Sequence, residues 1–511
     1  MGKSAEIKGL FNEVADVFNK NVAIKKERER LDRLIYGLQP DELRELEEYT
    51  NEYRNELTEK AYVYLMSCYM RLFEDNEHII KLLEYTIDSK ELFIEEKYFI
   101  LFQVRRFIFT REKNKQVSGL CSRLYDQIYY TYCEELKDEF VKIPKEERNE
   151  KLIIFFTSQF LTLNHGPTKT ILDRSLALAK SGKLPFIINT CELGAEGGEL
   201  PFFNMYISSY IEQYEQYESI AYEDERFTFF QCGRNMPNIK SIRELIAIVK
   251  QLKPYCIFCC GGSIISDLCS NVITSININT VPSALSDVRS TFQAIGRSVT
   301  DEDIEWLCAT GRRKDHIIES AFTWSFKPQT THYSRAAFNI PDDRKAGIVI
   351  GARLTEEVNK KFIDILSPAF EDGLFLVFAG NLTNYDQLCD ECEGLRENSV
   401  YVGYISDILA LCEICDLYIN PKRKGGGGSV VEAMAKGLPF AALRYGDVGI
   451  AVGDMGLEEY EDIGKEVRKL ITDKAYYEEM SKKAYERSKV LQDTRGQFMK
   501  ILEEASNREG F

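Results

Sequence analysis

Between Asn420 and Pro439 the chain runs Asn-Pro-Lys-Arg-Lys, four glycines at 425–428, and then Ser429-Val430-Val431-Glu432-Ala433-Met434, an order of residue types suited to holding a phosphate. Glycines let backbone N–H groups approach an anion closely, and the helix that follows adds the positive end of its dipole. Tyr418 and Ile419 end an apolar strand ahead of the loop, Gly437 is placed to stop the helix, and Pro439 opens the next strand. Ser429 and Glu432 also spell the S-x-x-E of a capping box, which would commit both to the helix end. A capping box requires neither four glycines nor the Lys-Arg-Lys before them, so the phosphate cradle is the reading carried forward.

A second chemical candidate is His165-Gly166-Pro167-Thr168-Lys169, a short loop after an apolar strand that enters a helix at Pro167. An imidazole with a pKa near about 6.5 is largely neutral at cytosolic pH and can take a proton from an attacking hydroxyl. The other histidines are His78, His316 and His332, and the last two fall in a connection between domains, where they read as structural. Three C-x-x-C spacings occur among the 14 cysteines, and Cys389/Cys392 with Cys412/Cys415 approach a zinc-ribbon pattern. Cys412 and Cys415 continue an apolar helical face, however, and Cys256 and Cys259 point to opposite faces of one strand, so these cysteines read as packing residues and no metal site is expected.

Composition limits what such loops can serve. At 511 residues, 44% hydrophobic and 29% charged, the chain is an ordinary globular protein with room for about three domains. A net charge of −16 argues against a sequence-independent nucleic-acid binder, which needs a basic face to neutralise phosphates. Basic loops within an acidic chain suggest a confined anionic ligand instead. No apolar run approaches the roughly 20 residues that span a bilayer, and the first residues carry no signal-peptide pattern, so a cytoplasmic protein with reduced thiols is expected.

The elements that must position these loops follow from hydrophobic period. Residues 1–145 are helical in pattern, with phrases such as Ala61-Tyr62-Val63-Tyr64-Leu65, and form an all-α module, with 144–150 as a charged linker. From Leu152 the period changes to a continuous apolar run, as in a parallel strand covered on both faces. Strands at 185–188, 255–259 and 275–281, with helices after Pro167 and near 241–251, make residues 151–335 one α/β domain. A second alternating set begins at Gly347-Ile348-Val349-Ile350-Gly351, continues at 374–380, 400–402 and 417–420, and reaches 440–443, giving a second α/β domain over 336–511.

The segment 420–439 resembles the donor-binding segment of GT-B glycosyltransferases, in the manner of glycosyltransferase family four, where a Gly-rich loop meets the diphosphate and the acid of an "EAM" helix holds the ribose. His165 to Thr168 is similar to a histidine-containing segment in the inverting protein glucosyltransferases that modify bacterial adhesins. The resemblance covers residue 151 to the end and implies a GT-B fold: two doubly wound Rossmann-like domains behind an all-α N-terminal domain, with the last helix packing back on the first of them. It further implies that Glu432 holds the ribose and that Arg353, after the first strand of the second domain, holds the leaving diphosphate with Lys424 and the amides of Gly426, Gly427, Gly428 and Ser429. Gly166 and Thr168 would border the donor phosphate, Asn381 would touch base or ribose, and His165 would be the base.

Two departures stand beside these matches. Lys424 occupies the place where retaining members carry a second acid, and the lysine that partners the arginine in the family is matched only by the displaced Lys360 and Lys361. The implied activity is metal-independent, cofactor-free transfer of a sugar from a nucleotide sugar, with a UDP-sugar expected, to an acceptor that the helical module would select and that would suit a protein or peptide. The alternatives are a GT-B sugar-nucleotide 2-epimerase and a non-catalytic GT-B partner subunit.

Overall fold

The computed structural model describes residues 2–19, 24–109, 111, 113–163, 165–193, 200–280 and 285–509. Its N-terminal part is helical among the described residues, with helices at Gly2–Asn19, Ile24–Tyr36, Pro40–Glu52, Glu59–Phe73, Asn76–Asp88, Ile94–Ile108 and Lys115–Leu136. Side chains mark several starts, since Thr58, Asp75 and Asn114 each accept the N–H of the residue three positions on. This part does not stand apart. Leu124, Ile128 and Tyr132 pack in one continuous core with Ile154, Phe156, Ile188 and Ile257 of the sheet that follows. The 144–150 stretch is correspondingly tied down: Ile143 donates its N–H to Val272 O at 2.9 Å, and the first strand already begins at Asn149. Residue 145 therefore marks a change of secondary structure within a shared core.

The first sheet has eight strands: β1 (Asn149–Thr157), β2 (Leu184–Asn189), β3 (Ser219–Tyr222), β4 (Glu225–Gln231), β5 (Pro254–Cys260), β6 (Ser275–Ile278), β7 (Phe292–Ile295) and β8 (Ile317–Glu319). Their order is β3-β4-β2-β1-β5-β6-β7-β8, and every pairing is parallel except the β3–β4 hairpin. The apolar run of β1 has a simple cause. Ile154 and Phe156 face the helical region, whereas Ile153 and Phe155 face the other side, where Phe498, Ile501 and Leu502 of the final helix, Thr494–Glu509, also pack. β6 ends at Ile278, shorter than expected, and Val281 lies outside the described residues.

The second sheet joins β9 (Lys345–Gly351), β10 (Leu374–Gly380), β11 (Ser399–Gly403), β12 (Leu417–Ile419) and β13 (Phe440–Ala441) in the order β11-β10-β9-β12-β13, all parallel. This 3-2-1-4-5 order is that of a Rossmann half, and in the first sheet β4-β2-β1-β5-β6 repeats it. In both sheets the strand order reverses beside the first strand of the set, at β1/β5 and β9/β12. Such a switch point opens a crevice beyond the carboxyl ends of the strands, and the loops at His165 and Gly425 both leave from those ends.

The cysteines of the three C-x-x-C spacings are buried in packed cores. Cys389 and Cys392 belong to one hydrophobic cluster and Cys412 and Cys415 to another, so the two pairs do not converge. The helix that carries Cys412 ends there, one turn earlier than its apolar pattern suggested.

Candidate functional site

A cleft of about 700 Å³ opens at the carboxyl ends of the second sheet. Ile350 to Arg353 at the end of β9, Ala379 to Asn381 at the end of β10, Tyr401, Tyr404 and Ile408 around β11, and Arg423, Gly426, Ser429 and Glu432 after β12 form its walls. Three loops expected to cooperate thus meet in one space. The pairing of β9 with both β10 and β12 is what brings them together.

The Gly-rich segment turns at Gly426, whose φ of 97° is the left-handed conformation, and the helix runs from Gly427 to Ala435. The N–H groups of Gly427, Gly428 and Ser429 are those that a helix start leaves without intrahelical acceptors. Trp324, from the connection between the α/β domains, backs this turn: a Cβ on Gly427 would lie 2.6 Å from its ring and 3.1 Å from Asp447 Cβ. Ser429 sits inside the helix, with its hydroxyl donating to Gly426 O at 2.9 Å and 3.0 Å from the Tyr418 hydroxyl. No side chain caps this helix, so the S-x-x-E pattern is not a capping box here. Glu432 is thereby left facing the cleft without a hydrogen-bond or ion-pair partner among the described residues. Burial pushes its pKa up to about 7, and the positive charge of Lys169 opposes that rise.

Lys169 belongs to the first α/β domain, on the helix Gly166–Ala179 that starts after His165, and its ammonium donates to Ser325 O in the interdomain connection. The start of this helix therefore lies on the Glu432 side of the fold. His165 is half-buried at the N-cap, its Nδ1 3.1 Å from Thr168 Oγ1, and burial lowers its pKa below 6.5. Thr168 is fully buried and its hydroxyl also accepts the Leu161 N–H at 2.8 Å, which holds the loop shape; Gly166 is exposed at the first helical position.

Arg353 lines the cleft, over half exposed, with its Nε 3.4 Å from Glu357 Oε1. Asn381 lines it too, exchanging backbone hydrogen bonds with Gly351 and Thr355. Lys424 is placed differently from the sequence expectation. Its ammonium donates to Phe109 O and Arg111 O, both at 2.6 Å, so the residue ties the Gly-rich loop to the helical region and does not line the cleft. Two backbone carbonyls, exposed where the helix Ile94–Ile108 ends, outcompete the open cleft for it. Lys360 and Lys361 pair with Asp364 and Glu461. Neither provides the lysine partner of Arg353.

Four side chains enter the site unforeseen. Arg423 has its side chain only 4% exposed and spreads under the loop: Nε donates to Asn420 Oδ1 at 2.8 Å, Nη1 to Glu357 Oε2 at 2.9 Å, and Nη2 to Ile350 O at 2.8 Å and the Tyr418 hydroxyl at 2.9 Å. Glu357 thus holds Arg423 with one oxygen and Arg353 with the other. Asp447 lies beside Gly427 with Oδ1 buried and unpartnered among the described residues, and burial raises its pKa to about 6. Tyr404, at the lip of the cleft, is 86% exposed. Lys-Arg-Lys is a basic run in which no local pattern says which member folds inward, which is why Arg423 escaped notice.

Comparison with known proteins places this geometry. Residues 333–487 match the family described as glycosyl transferases group 1. A solved glycosyltransferase from Rickettsia africae ESF-5 is similar at 12% identity and a TM-score of 0.50, covering 71% of this chain and 99% of its own. A mutant of the Thermobaculum terrenum O-GlcNAc transferase (11% identity, TM-score 0.49) covers 100% of this chain and 98% of its own. Anabaena HepE in complex with UDP (14% identity, TM-score 0.47) covers 70% and 99%. No curated protein sequence matches the chain. Residues 333–487 thus match the glycosyl transferases group 1 family, and the two α/β sheets of the chain together have the GT-B fold.

Proposed function

We propose that the protein transfers a sugar from a nucleotide sugar, a UDP-sugar in the first instance, to an acceptor held between its two α/β domains. The observation that carries this reading is Glu432: a half-buried carboxylate without a partner among the described residues, in the same cleft as Arg353 and an uncapped, glycine-led helix start. A ribose would satisfy the carboxylate with hydroxyl donors, and the diphosphate would take the free amides of Gly427, Gly428 and Ser429. Arg353 would stabilise the charge that develops as the bond from sugar to phosphate breaks. Gly426 would shape the turn by its backbone, and Asn381 would meet the base or ribose.

In the transfer step the acceptor oxygen bonds to the anomeric carbon while the diphosphate leaves with the bonding pair. The acceptor proton passes to His165, whose Nδ1 lies 3.1 Å from the Thr168 hydroxyl; in the tautomer with its proton on Nδ1, Nε2 carries the lone pair that takes it. Thr168 and Gly166 then serve the base loop and its helix start. No metal or cofactor is assigned to this reaction, since arginine and helix amides supply the charge stabilisation. A protein or peptide acceptor, selected with the help of the helical region, and a cytosolic location complete the proposal. No helix among the described residues is long and apolar enough to cross a membrane.

The test is a thermal-shift comparison of UDP-, GDP- and ADP-sugars, followed by an assay of nucleotide release with the best stabiliser. Stabilisation by a UDP-sugar, lost in Glu432→Ala, is the expected result. No shift with any nucleotide sugar would refute the enzyme reading and favour a non-catalytic subunit.

A further inference from the structure

Arg423 occupies an unusual place for a buried guanidinium. A Cβ on Gly426 would lie 2.7 Å from its Nε and Nη2, and one on Gly351 would collide with Nη1, so the group lies flat in the space that these two glycines leave open. Both glycines line the donor cleft, as does Arg423 itself. A guanidinium has five N–H donors. Four are engaged: one on Nε with Asn420, one on Nη1 with Glu357, and two on Nη2 with Ile350 O and the Tyr418 hydroxyl. The fifth, on Nη1, has no acceptor among the described residues.

We propose that Arg423 is the second diphosphate cation of this site, acting with Arg353, and that Glu357 is the positioning residue that sets both arginines. The inference rests on the nucleotide-sugar reading. Three observations support it. The uncommitted N–H belongs to a group fixed beside the turn that would receive the phosphates. The Glu357 carboxylate is shared between Arg423 at 2.9 Å and Arg353 at 3.4 Å, so one acid fixes two cations and the cluster keeps a net positive charge. Lys424, the alternative cation on that side, is occupied by Phe109 O and Arg111 O. A planar guanidinium held at four points loses little freedom when the anion arrives, which suits it to a leaving group that gains charge.

Calorimetric titration of the full chain with UDP and with uridine tests the assignment, using Arg423→Gln, Arg423→Lys and Glu357→Gln. A charge-assisted hydrogen bond corresponds to about 10- to 100-fold in affinity. Arg423→Gln should lower UDP affinity by that factor while uridine affinity stays within about twofold. Arg423→Lys should recover part of the loss, and Glu357→Gln should weaken UDP by less than Arg423→Gln. A merely structural arginine would lower UDP and uridine together, and that result, or an unchanged ratio of the two affinities, would overturn the proposal while leaving the nucleotide-sugar reading standing. Absence of UDP binding by the unmodified chain would remove both.

Discussion

Exchanging the carboxylate of Glu432 for an amide of the same shape should raise stability and lower donor binding together. In the unliganded protein, burial raises the Glu432 pKa from the usual 4.5 to about 7. The folded chain therefore holds this proton more tightly than the unfolded chain, and stability falls as pH rises from about 4.5 to about 7, then stays level. At about 1.4 kcal/mol per tenfold change in proton affinity, the ionised group costs about 3 kcal/mol at pH 8 and less than about 1 kcal/mol at pH 5. Glu432→Gln should thus raise the melting temperature of the unliganded protein by several degrees at pH 8, at about 2–4 °C per kcal/mol, and change it little at pH 5. Donor binding should move oppositely. Each ribose hydroxyl on the ionised carboxylate contributes about 1.5–3 kcal/mol, so the variant should bind UDP-glucose at least about tenfold more weakly. Affinity of the unmodified chain for UDP-glucose, whose diphosphate does not titrate in this range, should climb as pH rises toward about 7, and the variant should lack that climb. Scanning fluorimetry at pH 5, 7 and 8, with and without UDP-glucose, reads both effects. A variant less stable than the parent at pH 8 without donor, or one stabilised equally by UDP-glucose, would refute the reasoning.

Other changes separate the remaining roles. Lys424→Met removes two 2.6 Å bonds to the helical region, so backbone hydrogen exchange should quicken in peptides spanning Phe109 and Lys424 while UDP-glucose affinity changes less than in Arg353→Ala; equal losses would return Lys424 to the diphosphate. His165→Gln should abolish sugar transfer and preserve donor binding. Because burial holds the His165 pKa below 6.5, the parent's transfer rate should fall only on the acid side of that value, as a pH–rate profile would show. Gly426→Ala must adopt a φ of 97° and displace the Arg423 guanidinium, which should lower the unfolding free energy measured by urea titration by more than the roughly 1–2 kcal/mol of a left-handed residue alone and weaken UDP binding.

Much of the frame was legible because strands buried on both faces must be apolar at every position. Ile153 to Phe156 and Leu374 to Ala379 announce themselves in this way, and so does the change of period near residue 150. Short elements were less readable: β13 has only two residues, and the helix at Ile408 stops at Cys412, since neither length is written in a local pattern. The shared core of the helical region and the first sheet was invisible, because Leu124 and Ile154 show that they are apolar and not which surface covers them.

In the site the division runs through adjacent residues. Residue types alone determined that a basic run and four glycines lead into a short amphipathic helix, because those properties belong to backbone freedom and side-chain charge, whereas the roles expected of Arg353 and Glu432 came from the resemblance to GT-B enzymes. Which cation of Lys422, Arg423 and Lys424 turns inward was decided only by the tertiary fold. Glu357 and the carbonyls of Ile350 draw Arg423 under the loop, and the carbonyls of Phe109 and Arg111, more than 300 positions away, hold Lys424 outside it. A charge takes its role from the partners that desolvate and pair it, and those partners are assembled by strand order rather than by sequence neighbours.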